Sequence, residues 1–265
     1  MPRVTEQPQA EIEIRELTTV EEFDACVRLQ RAAFGLEDLE LSPRRHLVVS
    51  RSAGGWTLGA FAGAELVGFV HHLAAVRGGD EIIGYSHMMA VSPAAQNQGL
   101  GARLKWAQRA RALREGRRFI RWTWDPLRAR NAHFNLNRLG AVVRQYEVNY
   151  YGTDYVTMPG EVGRRHGLDS DRLAAEWELD SDRVAECDRA GFAPPFSTNE
   201  PAASVAIPPD WGALLHEDPE AARRELLRVR TEFQAAFATG LVCAGFERGE
   251  ATPRYLFYQT GTSDE

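Results

Sequence analysis

The chain has 265 residues, 44% apolar and 26% charged, long enough to bury roughly 70–75% of its extended surface without covalent staples. A formal net charge of −6 argues against general nucleic-acid binding, and neither a membrane-length apolar run nor a signal-peptide core is visible. Cys26, Cys187 and Cys243 are odd in number and lack metal-ligand spacing, which predicts a reducing, cytoplasmic setting and a small-molecule partner.

Residues 1–10 read as a disordered lead-in. Glu11–Leu17 alternates as a first strand, and Thr19 with Glu22 forms a capping box for a helix that stops at Gly35. Pro43–Ser52 suits a second, short helix. Trp56–Phe61, Leu66–Val76 and Glu81–Val91 then read as an antiparallel meander turning at Gly63 and at Gly78-Gly79. Leu100–Arg114 is helical, Phe119–Trp124 a strand, Arg128–Leu139 a short helix, and Ala141–Tyr151 and Leu173–Leu179 a strand pair. Gly191–Pro201 has linker composition. Beyond it, Ser204–Ile207 is a strand, Asp218-Pro219 opens a long helix striped by Leu226, Val229, Phe233 and Phe237, and Leu241–Phe246 and Arg254–Tyr258 are strands.

The stretch from Val91 to Leu104 carries the chemistry. A strand ends at a glycine-bearing turn that opens a helix, so unpaired amides and the positive end of the helix dipole make an anion site, and a diphosphate suits it. No Gly-Lys-Ser/Thr follows, and Leu104 stands where a dinucleotide fingerprint needs glycine. This arrangement resembles the GNAT acyltransferase superfamily, whose Gln/Arg-x-x-Gly-x-Gly/Ala signature Gln96, Gly99 and Gly101 match position for position, with Val91 and Pro93 before it. The resemblance implies a mixed α/β sheet over residues 11–180, with the elements in the family's order, and acetyl-CoA as co-substrate. The contacts it implies are the loop amides of Gln96, Asn97, Gln98, Gly99, Leu100, Gly101 and Ala102, the main chain near Met89 and Val91, and Asn131. Asn97 stands where the family often has glycine, and tolerates a left-handed turn. Trp124–Leu127 and the run Asn131–Ala141 also resemble a longer bacterial subgroup of the family.

Acyl transfer to an amine needs the neutral amine, and an alkylamine of pKa ~10 is only about one part in a thousand neutral at pH 7, a cost of roughly 4 kcal/mol. Period two puts Tyr85, His87, Met89 and Val91 on one strand face, and His87 titrates nearest neutrality, which makes it the candidate base. The family's acid tyrosine would fall at position 136, four residues before Gly140, where this chain has leucine. His133 and Tyr146 remain as candidate acids, beside departure of the thiolate unaided. His71 and His72 point to opposite faces of their strand, so no metal site is expected.

In the long connection 152–170, Arg164, Arg165 and His166 suit an acceptor's carboxylate or phosphate, or simply solvent. Residues 202–260 form a strand–helix–strand–strand extension that must bury a face by widening the sheet, building a second lobe or making a homodimer surface. The expected activity is N-acyl transfer in a ternary complex. O-acyl or longer-chain transfer, or a silent acyl-CoA sensor, are the alternatives.

Overall fold

A computed structural model describes residues 11–155, 167–249 and 252–260; the lead-in and Arg164–His166 lie outside them. These residues form two compact units, one of 11–74 and 86–110, the other of 75–85, 111–155, 167–249 and 252–260.

In the first unit, β1 (Ile12–Glu16) leads to α1 (Val20–Phe34), α2 (Arg44–Ser52), β2 (Trp56–Ala62), and the unit's parts of β3 (Glu65–Arg77), β4 (Glu81–Val91) and α3 (Leu100–Arg114), with strand order β1-β2-β3-β4. The capping box is formed: Glu22 N–H donates to Thr19 Oγ1 at 3.3 Å, Thr19 N–H donates to the Glu22 carboxylate at 3.1 Å, and Gly35 ends α1 at φ 66°. Phe23, Cys26 and Leu29 of α1 pack with Leu17, Leu47, Phe61, Phe69 and Ala90. β2 runs antiparallel to β1 and β3, pairing Trp56 with His72. At Gly68 of β3 a Cβ would come within 3.1 Å of Leu104 and 3.3 Å of the Ala90 carbonyl oxygen, so glycine lets α3 lie close on the sheet.

The second unit continues from β4 through β5 (Phe119–Trp124), α4 (Ala129–Ala132), a π-helical segment (His133–Arg138), β6 (Val142–Glu147), β7 (Arg172–Glu178), α5 (Asp182–Ala190), β8 (Ala203–Ala206), α6 (Trp211–Glu217), α7 (Pro219–Ala238), β9 (Leu241–Glu247) and β10 (Arg254–Gln259). Its strand order is β4-β5-β7-β6-β9-β10-β8, with β4 and β5 parallel at Gly84↔Ile120 and the pairs from β5 to β8 antiparallel. The extension therefore widens a sheet, with β9 on β6 at Val143↔Cys243. Phe233 of α7 packs on Tyr255 and Phe257, with ring centroids 5.0 and 5.1 Å away. The Tyr255 hydroxyl accepts from Trp124 Nε1 at 3.3 Å and donates to the Pro126 carbonyl at 2.7 Å.

Three expectations need correction. The helix expected over 128–139 is four residues of α-helix followed by a π-helical turn, in which Leu139 N–H reaches back five residues to Phe134 C=O at 3.1 Å. The strand expected to run to 151 stops at Glu147, because Asn149 turns left-handed at φ 48°, accepting from Ser170 N–H at 3.2 Å and donating its N–H to Asp171 at 3.0 Å. The amphipathic helices α5 and α6, capped by Ser181 and Asp210, were not anticipated. Among the described residues no helix is long and apolar enough to cross a membrane.

Candidate functional site

The loop between β4 and α3 is built by its own side chains. Pro93 opens a single 3₁₀ turn, Gln98 Nε2 donates to the Ala94 carbonyl at 3.0 Å, and Gln96 Nε2 donates to the Val91 carbonyl at 3.1 Å. Gln96 thus ties the loop back to the strand end. Asn97 and Gly99 both take positive φ, 63° and 79°. The amides of Ala102 and Arg103 return to the Gly99 carbonyl at 3.1 and 3.2 Å, so Ala102 N–H is spent inside the helix. The N–H groups of Gly99, Leu100 and Gly101 precede the helical ladder and stay outside it. The two glycines differ in kind. Gly99 is required by its backbone angle, whereas a Cβ at Gly101 would meet only Met89 Cε at 3.5 Å, an ordinary contact within the protein.

β4 alternates as its sequence demands. Ser86 and Ala90 are buried and Met88 packs into the core of the first unit, while His87 keeps an edge at the surface. Its ring belongs to a triangle of imidazoles: His46–His71 and His46–His87 centroids are 5.4 Å apart, and His71–His87 are 5.8 Å apart. His71 is fully buried, with Nδ1 2.8 Å from Thr57 Oγ1 and Nε2 3.2 Å from Ser50 Oγ. Burial first, then His87 and His46, push its pKa down to about 3, so it stays neutral. The same causes in milder form, local desolvation and then His46, hold His87 below the ordinary imidazole value. At neutral pH His87 is a free base.

On the other face of β4 lies a buried polar chain. Lys105, the only lysine of the protein, donates to Ser86 Oγ at 2.8 Å and to Gln108 Oε1 at 3.1 Å. Gln108 Nε2 meets His72 Nδ1 at 3.3 Å, and His72 stacks flat on Trp56 with centroids 4.1 Å apart. Burial pulls the Lys105 pKa down to about 7. His71 and His72 have separate partners, and no group of three or more ligating side chains suited to a metal occurs among the described residues.

Residues 17–140 match the acetyltransferase (GNAT) family. That stretch, just under half of the chain, is similar to a GNAT-family domain. Solved structures of the same fold include a GNAT-family protein from Desulfovibrio desulfuricans, 15% identical over 64% of this chain and 99% of that one, with a TM-score of 0.52. Another is the ribosomal-protein-S18-alanine N-acetyltransferase of Escherichia coli, 14% identical over 64% and 96% of the two chains, with a TM-score of 0.51. No curated protein matches the chain.

Around this GNAT-like stretch the other expected residues have settled roles. Leu136 is fully buried and offers no hydroxyl. The Tyr146 hydroxyl donates to Asp171 at 2.7 Å, and burial and that carboxylate raise its pKa. His133 sits in the π-helical turn with Nδ1 buried and lacking a hydrogen-bond partner among the described residues; burial, then Arg248 and Arg138, lower its pKa to about 4. A phenol committed to a carboxylate and an imidazole already neutral at pH 7 are both poor proton donors. Asn131 is exposed on α4, while Asn135 in the π-helical turn is buried and accepts from Trp122 Nε1 at 3.3 Å. His46, Lys105 and Gln108 were missed as site neighbours. The lone lysine was the one available signal.

Proposed function

We propose that this protein transfers an acetyl group from acetyl-CoA to an amine of a small molecule or peptide, by direct attack in a ternary complex. The reading is carried by the loop Gln96–Gly101 inside a GNAT-like stretch, with unladdered amides at the mouth of α3 and a left-handed turn at Asn97 and Gly99. A diphosphate fits that chemistry, since three successive N–H groups and the helix dipole favour negative charge. The main chain of Met89 and Val91 suits the pantetheine arm; Asn131 is exposed on α4 and is the further contact that the family resemblance implies. We read residues 11–180 as the acyl-CoA domain and 202–260 as an extension packed on its sheet.

His87 is the base in this reading. It takes the proton released as the amine nitrogen bonds to the thioester carbon, and the thiolate leaves without a dedicated acid. Thiol release from acetyl-CoA with a panel of primary amines tests the activity, alongside calorimetry with coenzyme A. Acceptor-dependent release is expected, and His87→Gln should lower kcat by about 10²-fold or more. The acid limb of the rate profile should lie below the ordinary imidazole value of 6.5. Tight binding with no turnover across the panel would point instead to the sensor reading, which the leucine at 136 favours.

A further inference from the structure

His87 has a hydroxyl partner at the surface of its cluster. Its Nε2 lies 3.1 Å from Ser42 Oγ, and Ser42 stands on the loop between α1 and α2, half-buried, with its bond to His87 open to solvent. A hydroxyl at this distance either gives its hydrogen to the ring or takes one from it.

Ser42 is held with unusual care for a loop residue. Gln30, fully buried in α1, spends both ends of its amide on this one residue: Ser42 N–H donates to Gln30 Oε1 at 2.9 Å, and Gln30 Nε2 donates to the Ser42 carbonyl at 3.1 Å. A buried glutamine side chain in an otherwise apolar helix face is costly unless satisfied. Here its satisfaction fixes the Ser42 backbone and so the direction of its Cβ. Ser50 Oγ donates to the Leu47 carbonyl at 2.9 Å and lies 3.2 Å from His71 Nε2. Burial keeps His71 neutral, and the His46 ring lies 5.4 Å from each of the other two imidazoles. The hydroxyl that meets His87 Nε2 is that of Ser42.

We propose that Ser42 is the catalytic relay through which the acceptor's proton reaches His87, with Gln30 as its positioning residue. The inference rests on His87 being the base. As the acceptor nitrogen bonds to the thioester carbon and the C–S bond breaks, the nitrogen's proton passes to Ser42 Oγ while the Ser42 hydroxyl proton passes to His87 Nε2. The sulfur departs with the electron pair of the broken bond, and the imidazolium returns its proton to the thiolate or to solvent.

The test compares Ser42→Ala, Ser42→Thr and His87→Gln in thiol release from acetyl-CoA with the best amine of the panel, and in histidine Cε1–H titration by NMR of the substrate-free protein. Ser42→Ala should lower kcat by about 10–100-fold with KM for acetyl-CoA unchanged. Ser42→Thr, which keeps the hydroxyl, should recover most of that loss. The His87 signal, identified by its absence in His87→Gln, should titrate at a different pH in Ser42→Ala while the His71 signal stays untitrated. If His87→Gln lowers kcat and Ser42→Ala does not, the acceptor reaches His87 directly and the relay is overturned. If His87→Gln itself leaves kcat and its pH profile unchanged, the base assignment fails first.

Discussion

The two units bury polar groups by opposite strategies. In the first, His71, His72, Gln30, Gln108 and Lys105 lie in the interior beside hydroxyls, amides and backbone, and the shifts at His71 and Lys105 both run toward the uncharged form. In the second, the Asp171 carboxylate is fully buried and charged, accepting from Arg230 Nε and Nη2 at 2.8 Å each, from the Tyr146 hydroxyl and from Asn149 N–H at 3.0 Å. Burial works against the Arg230 charge, but its bonds to Asp171 and Asp169 win and raise its pKa. A carboxylate keeps its partners in the interior where donors surround it; burial by itself shifts a titratable group toward its uncharged form. The shifted Lys105 places a group that titrates near neutrality in the first unit, which also holds the donor loop and His87.

The sharpest break of this contrast is Asp171→Ala. It leaves the half-buried Arg230 with Asp169 as its carboxylate partner and takes the acceptor from the Tyr146 hydroxyl and Asn149 N–H, and should cost about 3 kcal/mol in urea unfolding, whereas Tyr146→Phe should cost about 1 kcal/mol. A loss for Asp171→Ala no larger than that of Tyr146→Phe would show that the pair does not hold the second unit together.

Lys105 supplies the opposite signature. Its folded pKa of about 7 lies below the ordinary 10.5, so between those values the unfolded chain binds more protons and stability rises with pH. Lys105→Met should flatten that rise, read as unfolding midpoints from pH 7 to 10. A slope unchanged in the variant would place its origin elsewhere.

The smallest effects sharpen the picture within the donor loop. Gly99→Ala should cost roughly 1–2 kcal/mol through its left-handed backbone. Gly101→Ala should leave the unfolding midpoint unmoved and weaken coenzyme A binding in calorimetry. Unaltered affinity would mean that Gly101 does not serve close approach to the ligand.

Much of this was legible in local sequence. Thr19 and Glu22 announced a helix start, and Asn97 and Gly99 announced a turn whose angles such residues adopt more readily than others. The stripe Leu226, Val229, Phe233 gave α7 its buried face. These features depend on neighbours within a few residues. The π-helical turn at His133–Arg138 did not announce itself, because its sequence suits an α-helix and the hydrogen-bond pattern settles the difference.

The sequence by itself determined the order of elements, the phosphate-type loop and His87's place on its strand, since periodicity, capping and left-handed turns are local physics. Tertiary structure alone decided what surrounds them. Gln30 meets Ser42 across 12 positions, Ser42 meets His87 across 45, and Arg230 meets Asp171 across 59. Such partners are chosen by packing, where burial forces each polar atom to find whichever group the fold brings within reach.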